Sequence, residues 1–132
     1  MPRIALATAA TCFCLSVSVA HAQQHSDADF CRVMQDFAGK ANSETGRMVD
    51  TVTVDMGMAV LCKLKSVDFK KRVEVSFSTF KAGWQARKQA QWNQLYCKSG
   101  SASRRAIEAG WKISHTMIDT DGQRHYMEAT CR

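Results

Sequence analysis

Apolar residues recur at helical spacing early in the chain and alternate with polar residues farther on. Over residues 29–41 the apolar positions repeat every three or four residues, which predicts a helix with one apolar face. Asn42 and Ser43 end it. Over residues 52–60 every second residue is apolar, which predicts a strand, and Gly57 within it marks a bulge or a break between two short strands.

A second alternating segment completes a first hairpin. We expect residues 61–65 to continue the first strand and residues 66–71 to form the turn. Val73, Val75 and Phe77 then alternate with polar residues. This pattern predicts a second strand that pairs antiparallel with the first.

The second half of the chain predicts two further helices. The apolar positions of residues 82–98 are typical of a helix, and the small and polar residues 99–101 break it. Ser103 can cap a short helix that runs to residue 109. Gly110 suits the left-handed position that ends such a helix.

A second hairpin follows, and it completes the expected fold. Residues 111–119 and 123–131 alternate on either side of Asp121-Gly122, which is a strong hairpin-turn sequence. The prediction is a small α+β domain. Its antiparallel sheet consists of two hairpins, with two to three helices packed on one face and two disulfides.

The start of the chain has the features of an export signal. Arg3 supplies a positive charge, an apolar run follows, and Ala20-His21-Ala22 has small residues at the two positions that a signal peptidase reads. We predict that residues 1–22 are removed and that residues 23–132 form a single periplasmic or secreted domain. No apolar run after residue 25 approaches the ~20 residues of a membrane helix, so no integral membrane segment is expected after cleavage.

Cleavage leaves four cysteines, an even number that predicts two disulfides in an exported chain. Three pairings are possible. We favour Cys31–Cys62 and Cys97–Cys131, because each would join a helix to a strand that is expected to lie across it. A zinc site is disfavoured because the cysteines lack the close pairs that such sites use.

Composition and charge narrow the function classes. A chain of 132 residues is too short for a Rossmann fold, a TIM barrel or a kinase, and it lacks a Gly-rich phosphate loop and the HExxH and GxSxG motifs. Its formal charge of +6 suits an acidic protein or an anionic envelope component as partner. No nucleic-acid-binding motif accompanies this charge, so nucleic acid is not expected as a partner. No cofactor is implied.

His115 and His125 are the candidate acid and base of a small nuclease-like hydrolase. A two-residue Asp-Gly turn would pair Thr120 with Gln123, and that register points the two rings to opposite faces of the hairpin. Only a one-residue change in loop length would bring them to one face. The sequence therefore predicts no catalytic residues, and the hydrolase is kept as an alternative.

A second alternative depends on the predicted cleavage site. Cleavage after Ala22 places His25 third in the chain, where the α-amine, two amide nitrogens and the imidazole can wrap Cu(II) or Ni(II) in a square plane. The new amino-terminal Gln23 readily cyclises, which removes the amine ligand. We predict no other metal site.

One helical stripe combines aromatic and basic side chains. Trp84, Lys88, Trp92 and Tyr96 are spaced by four residues, with Arg87 beside them. An exposed stripe would offer cation–π contacts to a partner, whereas a buried stripe is the core side of the helix. We favour the core interpretation, with partner binding at the rim. The candidate partner-binding residues are Trp84, Arg87, Lys88 and Trp92.

The order of elements between about residues 48 and 131 is distinctive. A cysteine, a short helix, a glycine, a strand, an Asp-Gly turn, a strand and a final cysteine follow one another, with the segments QLYC at residues 94–97 and GWKISHTM at residues 110–117. This order resembles a loose group of small, uncharacterised periplasmic proteins of Gram-negative bacteria. The resemblance implies an exported α+β domain with a disulfide near its end, and it transfers no catalytic residue.

No motif in the chain assembles a recognisable catalytic site. The sequence therefore favours a non-enzymatic binding module of the periplasm or extracellular space. Such a protein could be an envelope-associated accessory protein, an inhibitor or an immunity-like protein.

Overall fold

The computed structural model describes residues 14–132, with side chains from residue 26 onward. This part of the chain forms three helices and four strands. They are, in order, α1 (Cys14–Ser43), β1 (Thr53–Leu61), β2 (Ser66–Val73), α2 (Trp84–Tyr96), α3 (Ala102–Glu108), β3 (Lys112–Ile118) and β4 (Arg124–Glu128).

The four strands form one mixed sheet in the order β1-β2-β3-β4. β1 and β2 form one antiparallel hairpin, β3 and β4 form the other, and the two hairpins join along parallel β2 and β3. The long crossover through α2 and α3 makes this parallel pairing possible. The predicted α+β class with two hairpins is confirmed, but the prediction of a wholly antiparallel sheet is wrong, because the two hairpins pair in parallel along β2 and β3.

The described helices pack on one side of the sheet, which we call the covered face. α1 and α3 cover one end of it, around Met58, Val67 and Trp111. α2 covers the other end, where Trp84 packs with Val73, Phe77, Met117 and Met127. The opposite side, which we call the open face, is polar; for example, the hydroxyls of Ser114 and Thr116 donate to Asp68 Oδ1 over 2.8 and 3.1 Å.

The first hairpin turns earlier than the sequence predicts. Residues Cys62–Leu64 form a 3-10 turn that Lys65 closes in the left-handed conformation, with φ of 47°. β2 therefore occupies residues 66–71, for which the sequence predicts a turn. Residues beyond Val73 leave the sheet, and Phe77–Thr79 form a second 3-10 turn. The alternation of Val75 and Phe77 reflects burial under α2 rather than strand pairing.

Gly57 forms the expected bulge. The register of β1 shifts between Asp55 and Met58, and Gly57 has a φ of 84°. Asn42, near the end of α1, accepts from Met58 N over 2.8 Å and donates to Met58 O over 3.0 Å. A Cβ at position 57 would collide with the Asn42 side chain. The bulge thus lets α1 dock against β1.

Both predicted disulfides are present. Cys31–Cys62 joins α1 to the end of β1, and Cys97–Cys131 joins the end of α2 to the segment after β4. The preferred pairing is therefore confirmed. In both cases the disulfide fixes a helix to the sheet that it covers.

The second and third helices and the extent of the second hairpin follow the sequence prediction closely, whereas α1 begins well before the predicted start at residue 29. α3 begins two residues earlier than expected, because Ser101 rather than Ser103 supplies the capping oxygen, accepting from Arg104 N over 3.1 Å. Ser103 instead donates to Tyr96 O over 2.9 Å. Gly110 follows α3 with a φ of 96°, as predicted.

The amino-terminal end of α1 overlaps the predicted signal peptide. α1 begins at Cys14, and residues 1–13 lie outside the described part of the chain. Among the described residues, no helix combines the length and apolarity that a membrane span needs. Removal of residues 1–22 stays a prediction.

Candidate functional site

The register of the second hairpin brings two histidines to one face. Met117 pairs with His125, and His115 pairs with Met127. The loop is one residue longer than a two-residue turn, since Asp119 N donates to Gln123 O over 3.0 Å. The prediction that the rings point to opposite faces is wrong, and both lie on the covered face.

Asp119 explains the longer loop. Its buried carboxylate accepts from Asp121 N over 2.9 Å, from Gln123 N over 2.8 Å and from Phe77 N over 2.9 Å. Burial raises the pKa of Asp119, but these three backbone donors outweigh it and hold the pKa below its ordinary value. The carboxylate therefore fixes the register and ties the hairpin to the segment after β2.

The two imidazoles lie against α2. His115 stacks on Trp92 with ring centroids 4.8 Å apart, and His125 meets Trp84 edge-on at 4.7 Å. Burial, together with smaller contributions from the charges of Lys71 and Lys88, lowers the pKa of His115 to about 4. Burial also lowers the pKa of His125. Both rings are therefore neutral near pH 7.

The rings have no hydrogen-bonding partner within the described residues. Nδ1 and Nε2 of His115 and Nε2 of His125 are buried and unpaired there. A hydrolase that used them would need a third group to orient the base. The sequence analysis counted against a catalytic histidine pair because the two rings were expected on opposite faces. Their shared face removes that argument, but the hydrolase alternative stays untested.

A cleft of about 590 Å³ opens beside His115, between α2 and residues 49–53. Apolar and aromatic side chains, among them Val73, Trp84 and Met117, form its inner part. Its charged lining residues are Asp50, Lys71, Lys81, Arg87 and Lys88. The cleft is therefore apolar within and cationic at its edge.

The cations of the cleft are largely uncompensated. Lys71 forms an ion pair with Asp55, with Nζ 3.2 Å from Oδ1. The ion pairs of the described residues do not include Lys81, Arg87 or Lys88. Burial raises the pKa of Asp50, but hydrogen bonds from Val52 and Thr53 and the charge of Lys88 bring it below its ordinary value. One carboxylate thus faces a surplus of positive charge.

The aromatic–basic stripe faces the sheet, as the core interpretation predicts. Trp84 is 8% exposed, and Trp92 donates from Nε1 to Ile113 O over 3.1 Å. Tyr96 packs on Trp92, and burial raises the pKa of Tyr96 to about 12. Lys88 is half-buried and lines the cleft. The core and the cleft therefore share one helix face.

Arg87 lies beside the stripe at the exposed rim of the cleft. It donates to Ala82 O over 2.8 Å and to Lys81 O over 3.1 Å, which places the guanidinium over the start of α2. Of the four predicted partner-binding residues, Arg87 and Lys88 therefore lie at the rim and Trp84 lines the inner part of the cleft, whereas Trp92 packs on the sheet. Their role in partner binding stays a prediction.

The alternative copper or nickel site at His25 lies outside the described side chains and stays a prediction. Among the side chains that are described, no three His, Cys, Asp or Glu residues are grouped as a metal site.

The sequence analysis did not identify Asp50 and Lys81 as cleft residues. The sequence could have indicated Lys71, because it alternates with Val67, Phe69 and Val73 and therefore lies on the same face of the strand as these apolar residues.

Two solved structures share this fold. One is a protein of Pseudomonas aeruginosa described as secreted, with 14% identity and a TM-score of 0.59 over 78% of this chain and 90% of that chain. The other is a pilotin from the type 2 secretion system of Vibrio vulnificus, with 11% identity and a TM-score of 0.56 over 81% of this chain and 93% of that chain. No protein-family model and no curated protein matches the sequence. The likeness therefore shows a fold shared with two proteins of Gram-negative bacteria.

Proposed function

We propose that this chain is an exported, non-enzymatic binding protein of the bacterial envelope. Its cleft beside α2 receives an acidic segment of a partner protein. Two disulfides suit an oxidising compartment outside the cytoplasm. A structural neighbour described as secreted is consistent with that location.

The observation that carries the proposal is the unbalanced charge of the cleft. Lys81, Arg87 and Lys88 line it without forming ion pairs to described carboxylates. Cations gathered at a concave, partly apolar surface raise the local concentration of an acidic partner and speed its association. Asp50 lies at the same edge and would repel an acidic group of the partner that came too close. It would therefore help to fix the position of the bound segment in the cleft.

The size and lining of the cleft favour a peptide segment over a flat surface contact. A cleft of about 590 Å³ with an aromatic inner wall can take one or two side chains of a partner. Trp84 supplies a rigid apolar wall, while Arg87 and Lys88 supply charge at the rim. Such an aromatic and arginine combination is typical of interface hot spots.

A protein partner is favoured over a lipid or a glycan for one further reason. One of the two structural neighbours is a pilotin, a component of a secretion system and hence of a protein assembly. An accessory role within an envelope assembly would fit the small size of this chain and the absence of a recognised catalytic motif in its sequence.

In-cell photocrosslinking tests the proposal. A photoreactive residue at Gln91, which is exposed and lines the cleft, should capture one protein partner. The same residue at Lys70, exposed on the open face, serves as the matched control. Replacement of Arg87 and Lys88 by glutamate should abolish the adduct from position 91. Equal capture from position 70, or capture that survives the charge reversal, would refute the cleft as the interface.

A lipid or glycan adduct from position 91 would also contradict the proposal. It would move the partner from an acidic protein to an anionic envelope component. Mass analysis of the adduct distinguishes these outcomes directly.

The shared face of His115 and His125 favours one second candidate, a small hydrolase. The purified protein would be assayed against RNA and DNA, beside a variant with both histidines replaced by alanine. Activity that disappears in the variant would support the hydrolase and count against a non-enzymatic role. Activity that persists would exclude the two histidines as its source.

A further inference from the structure

Two buried methionines and two partly buried histidines form a two-by-two array on the covered face of the β3–β4 hairpin. His115 pairs with Met127 and Met117 pairs with His125 across the strands. Along each strand, the histidine and the methionine are two residues apart and share a face. Directly opposed Cβ atoms lie about 4.5–5.5 Å apart. We call His115, Met117, His125 and Met127 the His/Met square.

Three ring nitrogens of the square have no hydrogen-bond partner within the described part of the chain. They are Nδ1 and Nε2 of His115 and Nε2 of His125, and all three atoms are buried. Met117 is 3% exposed and Met127 is 2% exposed, so both thioethers are shielded from bulk water. A buried polar atom without a partner is costly and calls for an explanation, such as an ion that the atom binds.

We propose that the His/Met square binds a soft monovalent cation, Cu(I), through imidazole nitrogens of His115 and His125 and the thioether sulfurs of Met117 and Met127. Thioether and imidazole ligands suit Cu(I), whereas Mg²⁺ and Ca²⁺ require oxygen ligands. Burial lowers the pKa of both imidazoles, which keeps them in the neutral form that ligates metals.

The surroundings of the square support this assignment. Trp92 stacks on His115 and Trp84 contacts His125, so aromatic rings flank the array on the α2 side. Aromatic faces attract cations and exclude water. The cleft is lined by His115 and Met117, and it therefore supplies an access route from solvent.

The lysines near the square add selectivity. Lys71 is paired with Asp55 at 3.2 Å, and Lys88 on α2 is the nearby cation without an ion pair among the described residues. Repulsion by a fixed positive charge is twice as large for a divalent ion as for a monovalent one. The site should therefore prefer Cu(I) over Zn(II) by charge as well as by softness.

This inference stands apart from the proposed function. The partner's segment would contact Trp84, Arg87 and Lys88, whereas the metal would be held by the four side chains of the His/Met square. Loss of partner capture would leave metal binding intact, and the reverse also holds.

Silver(I), a redox-stable probe of soft cation sites, tests the proposal. The exported protein is first checked by intact mass for two disulfides and the absence of free thiols, and His25→Ala removes the amino-terminal candidate site. Native mass spectrometry should then show one bound Ag(I) per chain. The methyl NMR signals of Met117 and Met127 should shift and tryptophan fluorescence should be quenched.

Matched variants decide which residues bind the ion. Met117→Leu together with Met127→Leu keeps the buried volume and removes both sulfurs, so folding should survive while Ag(I) affinity falls at least tenfold. Met58 is also buried, but it packs under α1 and α3 at the other end of the covered face. The control variant Met58→Leu should therefore leave the Ag(I) affinity unchanged. Anaerobic Cu(I) titration with a competing chelator should give the same ranking.

Three results would overturn the proposal. These are no Ag(I) binding at micromolar protein, equal affinity in the double variant and the parent, and binding of Zn(II) as tight as that of Ag(I). Each is read by the same titration on protein whose fold has been confirmed by circular dichroism.

Discussion

At the residue scale, Asp119 determines which side chains reach the covered face. Its carboxylate accepts three backbone N–H groups, one of them from Phe77, 42 residues earlier. A different loop length would rotate the faces of β4 and separate His115 from His125. The sequence shows the Asp-Gly turn but not this long-range acceptor, and that is why the register was predicted one residue out.

Replacing Asp119 by alanine should destabilise the protein, because three backbone donors would lose their acceptor. Asp119→Asn, which keeps one acceptor oxygen, should be intermediate. Thermal unfolding followed by circular dichroism ranks the variants, with Asp36→Ala on the exposed side of α1 as control. An Asp119→Ala midpoint equal to that of the control would contradict the role of this carboxylate.

His115 should make stability depend on pH. Its pKa is about 4 in the folded chain against 6.5 for the ordinary group, so below pH 6.5 the unfolded chain takes up the proton first. Folding should therefore lose stability as the pH falls from about 6.5 to about 4, by roughly 3 kcal/mol in total. Urea unfolding at several pH values, in the presence of a metal chelator, measures this loss.

A His115→Gln variant provides the control for that measurement. It should lack this part of the pH dependence and keep the part that the carboxylates contribute. Parallel curves for the variant and the parent would show that the imidazole is not buried as described.

At the element scale, the periodicity of apolar residues predicted the elements whose structure depends on neighbouring residues in the sequence. The second and third helices, the second hairpin and the bulge at Gly57 carry local signals, and each was placed within a few residues. The end of α1 was placed as closely, but its start was predicted at residue 29 and lies at Cys14. β2 was misplaced because its polar residues 70–72 resemble a turn, while their partners on β1 and β3 lie far away in sequence. Strand pairing, unlike helix formation, depends on those distant partners.

Gly57 offers a direct test of the junction between α1 and β1. Gly57→Ala should cost about 1–3 kcal/mol, because the residue has a φ of 84° and an added Cβ would collide with Asn42. Gly39→Ala, in the α1 helix with open space around it, should instead stabilise by about 0.5–1 kcal/mol. Chemical denaturation of both variants gives the comparison, and equal effects would contradict the docking of α1 on the bulge.

At the scale of the whole molecule, the two disulfides fix helices to the sheet. Reduction of each should cost about 2–5 kcal/mol, because the bridges close sequence separations of 31 and 34 residues. Thermal unfolding with and without reductant measures the loss, with Cys31→Ala/Cys62→Ala and Cys97→Ala/Cys131→Ala separating the two bridges. A reduced protein with an unchanged melting temperature would contradict their stabilising role.

The cleft is the property that sequence reasoning could reach least. Its cations come from β2, from the loop before α2 and from α2 itself, and Asp50 comes from the segment before β1. The stripe on α2 was predicted from its spacing, and the rim residues Arg87 and Lys88 with it. The wall of the cleft opposite α2 includes residues 49–53 and Lys71. Its position depends on the pairing of strands in the mixed sheet, which no local sequence pattern predicts.

The measurement that tests the central claim most directly is copurification of the partner with charge-reversed chains. Lys81, Arg87 and Lys88 are replaced together by glutamate in one variant, and Lys70, Arg72 and Lys112 on the open face in another. Both variants carry the same change in net charge. We predict that the cleft variant loses the partner and that the open-face variant retains it. Retention by the cleft variant, or equal loss in both, would contradict binding in the cleft.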